Sequence, residues 1–227
     1  MDLFFSNLIY IDFQNTEWIV LYIILGVLCF LLIIFLIAYP FIKKKYEFRN
    51  FQKTYYKKIR KVADIKDFYL INNLILKNND QILCKIDHIL FGDKYIYVIK
   101  DRYYRGAVSG GKKDSTWLFF DHQGLKQEMN NPMMVNLERI DKLAMLTQID
   151  RSFFISIVLI NDNCVIKNVK DLNSDDSFVI SVSKFAKLIK LIEDRDVKKI
   201  NSTQLQYAVE DIAKLYGKGS SKDNTNE

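Results

Sequence analysis

The sequence predicts an α/β protein, a mixed sheet flanked by helices, preceded by one transmembrane helix. Two observations lead to this fold class. First, the chain of 227 residues contains an uncharged apolar run from Trp18 to Ile42. Second, the residues after this run alternate between short β-rich segments and amphipathic helical patterns, which is typical of mixed α/β domains.

The apolar run has the length and composition of a membrane-spanning helix. As a helix it would span about 37 Å, against a hydrocarbon core of about 30 Å. Trp18, Tyr22 and Tyr39 lie near its ends, where aromatic rings favour the membrane interface. The alternative is a cleaved signal peptide, which needs a basic leading segment, a shorter apolar core and a small-residue cleavage site. The sequence shows none of these features, so we favour the anchor.

The charges on the two sides of the run predict its orientation. Residues 1–17 contain three acids and no Lys or Arg, whereas residues 43–61 contain nine bases and one acid. The positive-inside rule therefore predicts a single-pass cell-membrane protein with its N-terminus outside and residues 43–227 in the cytoplasm. The same bases predict contact with anionic lipid. They account for most of the net charge of +6, so the remaining domain is nearly neutral and not a strong nonspecific DNA binder.

The predicted organisation has five parts. They are a short extracytoplasmic segment (1–17), the transmembrane helix (18–42), a basic juxtamembrane helix or linker (43–66), the α/β domain (67–216) and a polar disordered tail (217–227).

Within the domain, β-rich runs and helical patterns alternate. The predicted strands are 68–76, 82–91, 94–102, 115–120, 153–160, 164–169 and 178–182. Asn131 and Pro132 have the residue types of an N-cap and a first helical position, so a helix is predicted to begin there. Further helices are predicted at 183–195 and 202–216.

Residues 85–102 predict a β-hairpin that carries charges on one face. If Gly92-Asp93 is a two-residue turn, Asp87 faces Val98, and Lys100 is within diagonal reach of Asp87. Lys100 is therefore expected to neutralise Asp87. His88 and Asp101 are expected to point to the opposite face, His88 as a packed core residue rather than a base.

The stretch 106–113, GAVSGGKK, nearly matches a phosphate-binding loop. Lys113 stands where that loop has a hydroxyl residue for magnesium, and a strand pattern follows where a helix should begin. We therefore predict a hairpin turn. The chain has three cysteines and two histidines, without zinc-site spacing, so no metal or other cofactor is predicted.

With these elements placed, residues from about 46 to 215 resemble the nuclease-related domain (NERD) family, a branch of the PD-(D/E)XK nuclease-like fold. The resemblance rests on three stretches: KIDHILFGDKYIYVIKDRYYRG, NNPMMVN and FFISIVLINDNCVI. It implies a restriction-endonuclease-like mixed sheet flanked by helices.

The resemblance also implies a catalytic site, which this sequence preserves only in part. Asp87 matches the metal-binding aspartate of the family. Lys100 stands where the family has a metal-binding glutamate, and Arg102 stands where it has the catalytic lysine. These three degenerate motif positions are predicted to be inactive.

Two further positions of the family pattern are altered. Val135 takes the place of the glutamine after the Asn-Pro pair, and the first-helix glutamate falls near Gln52, or on Glu47 with a shifted register. Mg²⁺ or Mn²⁺ is expected only if the chain is a nuclease with an altered site, one that recruits other acids such as Asp101 or Asp67.

The altered face has two interpretations. In the first, it binds an anion or nucleic acid through Lys85, Lys100, Arg102 and Tyr104, with Tyr103 and Tyr104 able to stack on a base. In the second, which we favour because the domain is nearly neutral, Asp87 and Lys100 form an ion pair and the tyrosines are packed.

The function that follows is a membrane-anchored cytoplasmic module, catalytically inactive, that binds nucleic acid or a protein partner. The alternatives are the altered metal-dependent nuclease and a membrane-assembly scaffold without a nucleic-acid role. No small-molecule substrate is evident from the sequence.

Overall fold

The computed structural model describes residues 16–78, 81–121, 123–167 and 173–220. Most of the predicted extracytoplasmic segment, residues 1–15, lies outside these ranges. Residues 221–227, most of the predicted disordered tail, also lie outside these ranges. The last helix ends at Ser220, within the first part of that predicted tail. The chain divides into two compact units, residues 1–50 and 51–227.

The described part of the first unit, residues 16–50, is helical. Helix α1 is Thr16–Lys66, so the predicted membrane span and the predicted juxtamembrane segment belong to one helix. Its part Trp18–Lys43 is long and apolar enough to cross a membrane, with a mean hydropathy of 3.3 and no buried residues. A signal sequence near the N-terminus can meet the same criteria of length and composition. The structure therefore establishes an apolar helix, and its orientation stays a prediction.

The second unit is built on a five-stranded mixed sheet in the order β1-β2-β3-β7-β9. The strands are β1 Tyr69–Asn78, β2 Gln81–Phe91, β3 Ile96–Asp101, β7 Phe154–Ile160 and β9 Ser177–Ser181. The first three pair antiparallel, and β3, β7 and β9 pair parallel. The parallel strands β3 and β7 are buried throughout, as expected for strands covered by helices on both faces.

A second mixed sheet has the order β6-β5-β4-β8. Its strands are β4 Gly106–Ser109, β5 Thr116–Asp121, β6 Lys126–Asn130 and β8 Val165–Lys167. The predicted turn at 106–113 is confirmed only in its second half, because residues 106–109 form β4; β5, not a helix, follows the turn. Strands β4 and β6 have weak sequence patterns, because β4 has only a short apolar pattern and β6 is largely exposed.

The turn between β4 and β5 depends on a glycine and an asparagine. A Cβ on Gly110 would lie 2.2 Å from the Trp117 ring, so no other residue fits there. Asn131 Nδ2 donates to the carbonyl oxygens of Gly111, Lys112 and Asp114. The Asn131 side chain also accepts from Met133 N at 2.9 Å, which confirms it as the predicted N-cap.

Helices cover both faces of the five-stranded sheet. They are α2 Pro132–Thr147, α3 Phe185–Glu193 and α4 Ser202–Ser220, in addition to the second half of α1. One core cluster joins α1 and α3 to the face of β3 that carries Tyr97 and Ile99. The other joins α2 and α4 to the face that carries Ile96 and Val98. The predicted α/β class with a mixed sheet is confirmed, and its strands form two sheets.

The predicted register of the β2–β3 hairpin is wrong. His88 pairs with Ile99, and Phe91 pairs with Ile96, a shift of two positions from the predicted pairing of Asp87 with Val98. The connection is residues 92–95 rather than a two-residue turn. Because a shift by an even number preserves the side-chain alternation, the predicted faces of Lys100 and Asp101 on β3 are unaffected.

Candidate functional site

The first charged pair of the site is Asp87 with Lys100. Lys100 Nζ lies 2.7 Å from Asp87 Oδ2 and donates to Oδ1 at 3.0 Å. The paired positions of β2 and β3 end at His88 and Ile99, and beyond them the backbone N–H of Asp101 donates to Asp87 Oδ2 at 3.0 Å. Asp87 and Lys100 are 8% and 7% exposed. The ion pair expected from the sequence is therefore present, and both carboxylate oxygens of Asp87 accept hydrogen bonds.

The second charged pair, His88 with Asp101, lies on the α1 side of β3. His88 Nε2 is 2.9 Å from Asp101 Oδ2, and Nδ1 is 2.7 Å from Asn72 Oδ1. With Asn72 Oδ1 as its acceptor, Nδ1 carries the ring proton, and Nε2 faces the Asp101 carboxylate. His88 is buried and stacks on Tyr56, so its predicted packed position is confirmed.

One oxygen of the second pair lacks a partner. Asp101 Oδ1 is buried without a hydrogen bond among the residues that the structure describes. Burial raises the pKa of Asp101, and the hydrogen bond and charge of His88 oppose that rise. The side chain of Asp101 thus pairs with His88 on the α1 side, while its backbone N–H donates to Asp87.

A polar cavity of about 360 Å³ lies beside these pairs. All of its lining residues carry a polar group: Gln52, Lys53, Tyr56, Asn72, Asn73, Asp87, His88 and Asp101. Asn73 has a φ of 54° in the middle of β1, a left-handed conformation that asparagine tolerates better than most residues. The cavity brings Gln52, at a position of the family pattern, together with Asp87.

On the other side of β3, positive charges outnumber acids around Lys100. Burial lowers the pKa of Lys100, its contact with Asp87 opposes this, and the charges of Arg102 and Arg139 lower that pKa further. Burial also lowers the pKa of Arg139. Arg139 Nη1 is buried without a hydrogen-bond partner among the described residues.

The other residues expected to bind an anion lie in different surroundings. Lys85 is exposed on β2. Tyr104 is 9% exposed and packs on Phe119. Burial raises its pKa, and the charge of Arg102 opposes that rise. Tyr103 packs on Phe51. Tyr104 therefore has no open ring face, in keeping with the packed-aromatic interpretation.

The residues around Asp87 do not fit a divalent metal. Magnesium needs oxygen ligands and favours carboxylates, but both Asp87 oxygens accept hydrogen bonds and the nearest charge is an ammonium group. Among the described residues, no group of three or more His, Cys, Asp or Glu side chains could hold a metal ion. Asp67, a candidate acid of the nuclease alternative, is exposed just beyond α1.

Sequence reasoning missed Arg139 and the bond from His88 to Asn72. Arg139 lies one helical turn after Val135, and residues four apart lie on one helix face. That spacing could have pointed to Arg139, because Val135 is the α2 position of the family pattern. No local pattern could have identified Asn72, because it reaches His88 only through the pairing of β1 with β2.

A mixed α/β unit with an acid on one hairpin strand and charged groups at the end of the next defines a nuclease-like protein with altered motif positions. The sequence pattern of the nuclease-related domain (NERD) family matches residues 47–161, half of the chain. The chain belongs to the nuclease-related domain family.

A search of curated proteins found an uncharacterized protein of Bacillus anthracis that is similar to this chain. The two are 24% identical over 141 residues, which cover 61% of this chain and 64% of that protein. The chain thus spans less than two thirds of the length of this relative. No solved structure matches the chain.

Proposed function

We propose that this chain is a membrane-anchored, non-catalytic nuclease-related domain that binds nucleic acid, or a protein partner, at the cytoplasmic face of the membrane. One observation carries this proposal. The carboxylate of Asp87 is held by the ammonium group of Lys100, 2.7 Å away, and by the N–H of Asp101. An internal cation thus occupies the place that a metal would need.

The loss of catalysis follows from the charges. Metal-dependent cleavage needs an ion that activates water and stabilises the developing negative charge. A divalent ion at Asp87 would have to displace Lys100 and sit near Arg102 and Arg139, whose charges act on Lys100. Displacing Lys100 would also leave a buried ammonium group without its partner, which is costly.

The same charges favour nucleic acid over protein as the partner. Phosphates supply most of the affinity of proteins for nucleic acids, through contacts with Lys and Arg. Lys85, Lys100 and Arg102 are the proposed contacts, and the packed ring of Tyr104 is not expected to stack on a base. Because the domain carries little net charge, we expect weak binding that salt reduces.

The experiment is calorimetric titration of the full chain, in a non-ionic detergent, with Mg²⁺ and with Mn²⁺. A nuclease assay on DNA and RNA accompanies it, and Asp87→Asn is the control. We expect no heat that depends on Asp87 and no cleavage. Tight Asp87-dependent binding with cleavage would support the metal-dependent nuclease instead. A chain that binds neither metal nor nucleic acid would support the membrane scaffold.

Membrane anchoring is the second part of the proposal. It is supported by the apolar helix Trp18–Lys43 and by the charge difference between its two flanks. The test places a single cysteine near one end of the chain or the other, after the native cysteines have been replaced. A thiol reagent that cannot cross the membrane is then applied outside the cell, and the labelling of the two cysteines is compared. We expect only the N-terminal cysteine to react. The N-terminal sequence of the mature protein tests for a cleaved signal peptide.

The bases of residues 43–61 are proposed to contact anionic lipid. A peptide of these residues should bind vesicles that contain phosphatidylserine, less so as salt rises, and should ignore vesicles of phosphatidylcholine alone. Equal binding to both compositions would contradict this electrostatic contact.

A further inference from the structure

On the α2 side of β3, the positive charges outnumber the negative charges of the residues around them. Asp87 and Lys100 form a pair and neutralise each other. Arg102 and Arg139 remain, and both act electrostatically on Lys100. The charges of Asp87 and of Glu138, which is exposed on the same helix, act on Arg139. Because Asp87 is already paired with Lys100, the two partly buried guanidinium groups have little further compensation.

One hydrogen-bond donor in the same region has no acceptor. Arg139 Nη1 is buried and has no acceptor among the described residues. A buried charged donor without an acceptor is unfavourable, so native proteins rarely retain one without a bound group or water to satisfy it. An acceptor from outside the chain would remove this cost.

The chemistry of the missing group follows from the donors. A cation is excluded by repulsion from three positive side chains. A planar guanidinium group suits oxyanions, because it donates two parallel hydrogen bonds to two oxygens of one group.

We infer that Arg139, together with Arg102 and Lys100, forms a phosphate-binding site on the α2 side of β3. The ligand class is a phosphate group of a nucleic acid, bound chiefly by the Arg139 guanidinium from α2. This inference rests on the proposed function for the source of the phosphate. It goes further by assigning the principal contact to a helix residue outside the β-hairpin motif.

The test measures binding of inorganic phosphate to the full chain in a maltoside detergent, which contributes no phosphate of its own. Arg139→Met is compared with Arg151→Met, which removes the same charge from the exposed Arg151–Asp141 pair. We expect phosphate to raise the melting temperature of the native chain and of Arg151→Met. Arg139→Met should bind phosphate roughly tenfold more weakly or worse, the loss expected for a charge-assisted hydrogen bond.

Arg139→Lys is the second variant, in case the methionine disturbs folding. It keeps the charge and loses the paired donors, so its affinity should fall between those of the native chain and Arg139→Met. Oligonucleotides with and without a 5′-phosphate distinguish a terminal phosphate from a backbone phosphodiester. Equal phosphate affinity in the native chain and the Arg139 variants, or no binding by the native chain, would overturn the inference. Neither result would show metal-dependent cleavage. The phosphate site can therefore be disproved while the proposal of a non-catalytic domain stands.

Discussion

Lys100 and Asp101 are neighbours on β3 but face opposite sides of the sheet, where hydrogen-bond donors and acceptors are unbalanced in opposite directions. Lys100 faces α2 and pairs with Asp87, and further cations, Arg102 and Arg139, surround that pair. Asp101 faces α1 and pairs with His88, and one of its oxygens lacks a donor. The first side therefore has donors to spare and the second an acceptor to spare. A bound group is expected to be anionic on the first side and a hydrogen-bond donor on the second.

The comparison also shows how one motif can lose its metal chemistry. The strand end reads Lys100-Asp101-Arg102 where the family has an acid, a variable residue and a lysine. An acid is still present, but alternation along the strand directs it to the α1 side, where His88 is its partner. The charge type at each position matters less than the face on which that charge lies.

The largest expected effect comes from reversing the charges on the α2 side. Lys100→Glu combined with Arg102→Lys places two carboxylates and a lysine together. We expect Mg²⁺ or Mn²⁺ to bind with a dissociation constant in the millimolar range, about 4 kcal/mol of binding free energy, against none for the native chain. Calorimetry measures this, and adding Asp87→Asn to the double variant should abolish it. Cleavage is not expected to return with binding, because Val135 and the first-helix position stay altered.

Removing Lys100 alone should destabilise the domain by about 3 kcal/mol, because Asp87 remains buried without its cation. Urea unfolding of Lys100→Met measures this. Lys214→Met, which breaks the exposed Lys214–Asp211 pair, is the matched control and should unfold like the native chain. If Lys100→Met is as stable as the control, the ion pair does not neutralise Asp87 in solution.

On the α1 side, Asp101→Ala should cost about 2 kcal/mol, because His88 Nε2 loses its partner in a buried position. Asp101→Asn should cost less, since the amide can donate to Nε2 of a neutral His88. The same unfolding measurement compares the two variants. Equal losses for alanine and asparagine would mean that the hydrogen bond to His88 contributes little.

The smallest expected effect concerns Glu193, a half-buried acid that accepts a hydrogen bond from a neutral hydroxyl group. Glu193 Oε1 accepts from the Tyr97 hydroxyl at 2.5 Å, and burial raises the pKa of Glu193 above its usual value of 4.5. The folded protein then binds more protons than the unfolded chain just above pH 4.5. The stabilising contribution is complete below that pH and is lost as pH rises through the raised pKa.

Glu193→Gln keeps the acceptor and removes the titration. Unfolding free energies measured above pH 4.5 should therefore fall less steeply with pH in this variant than in the native chain. Identical slopes would show that Glu193 titrates normally. Glu193 could then no longer be compared, as a carboxylate paired with a neutral donor, with the carboxylates beside β3.

Much of the site could be predicted from the sequence because its pattern is local. Strand alternation alone placed Lys100 on one face and Asp101 on the other, and it remained valid when the register changed by two positions. Asn131 and Pro132 predicted the start of α2 correctly, because capping involves only a few consecutive residues. The function of these residues stays a prediction.

The sequence by itself determined the apolar helix, the α/β class, the hairpin and the pairing of Asp87 with Lys100, because periodicity and short-range spacing control these features. Only the tertiary structure decided the true register, the second sheet, the bond from His88 to Asn72 and the presence of Arg139 beside Lys100. Register depends on the connection at residues 92–95, and Arg139 reaches the site only when α2 packs on the sheet. Contacts of this kind join residues far apart in the chain, and no local pattern encodes them.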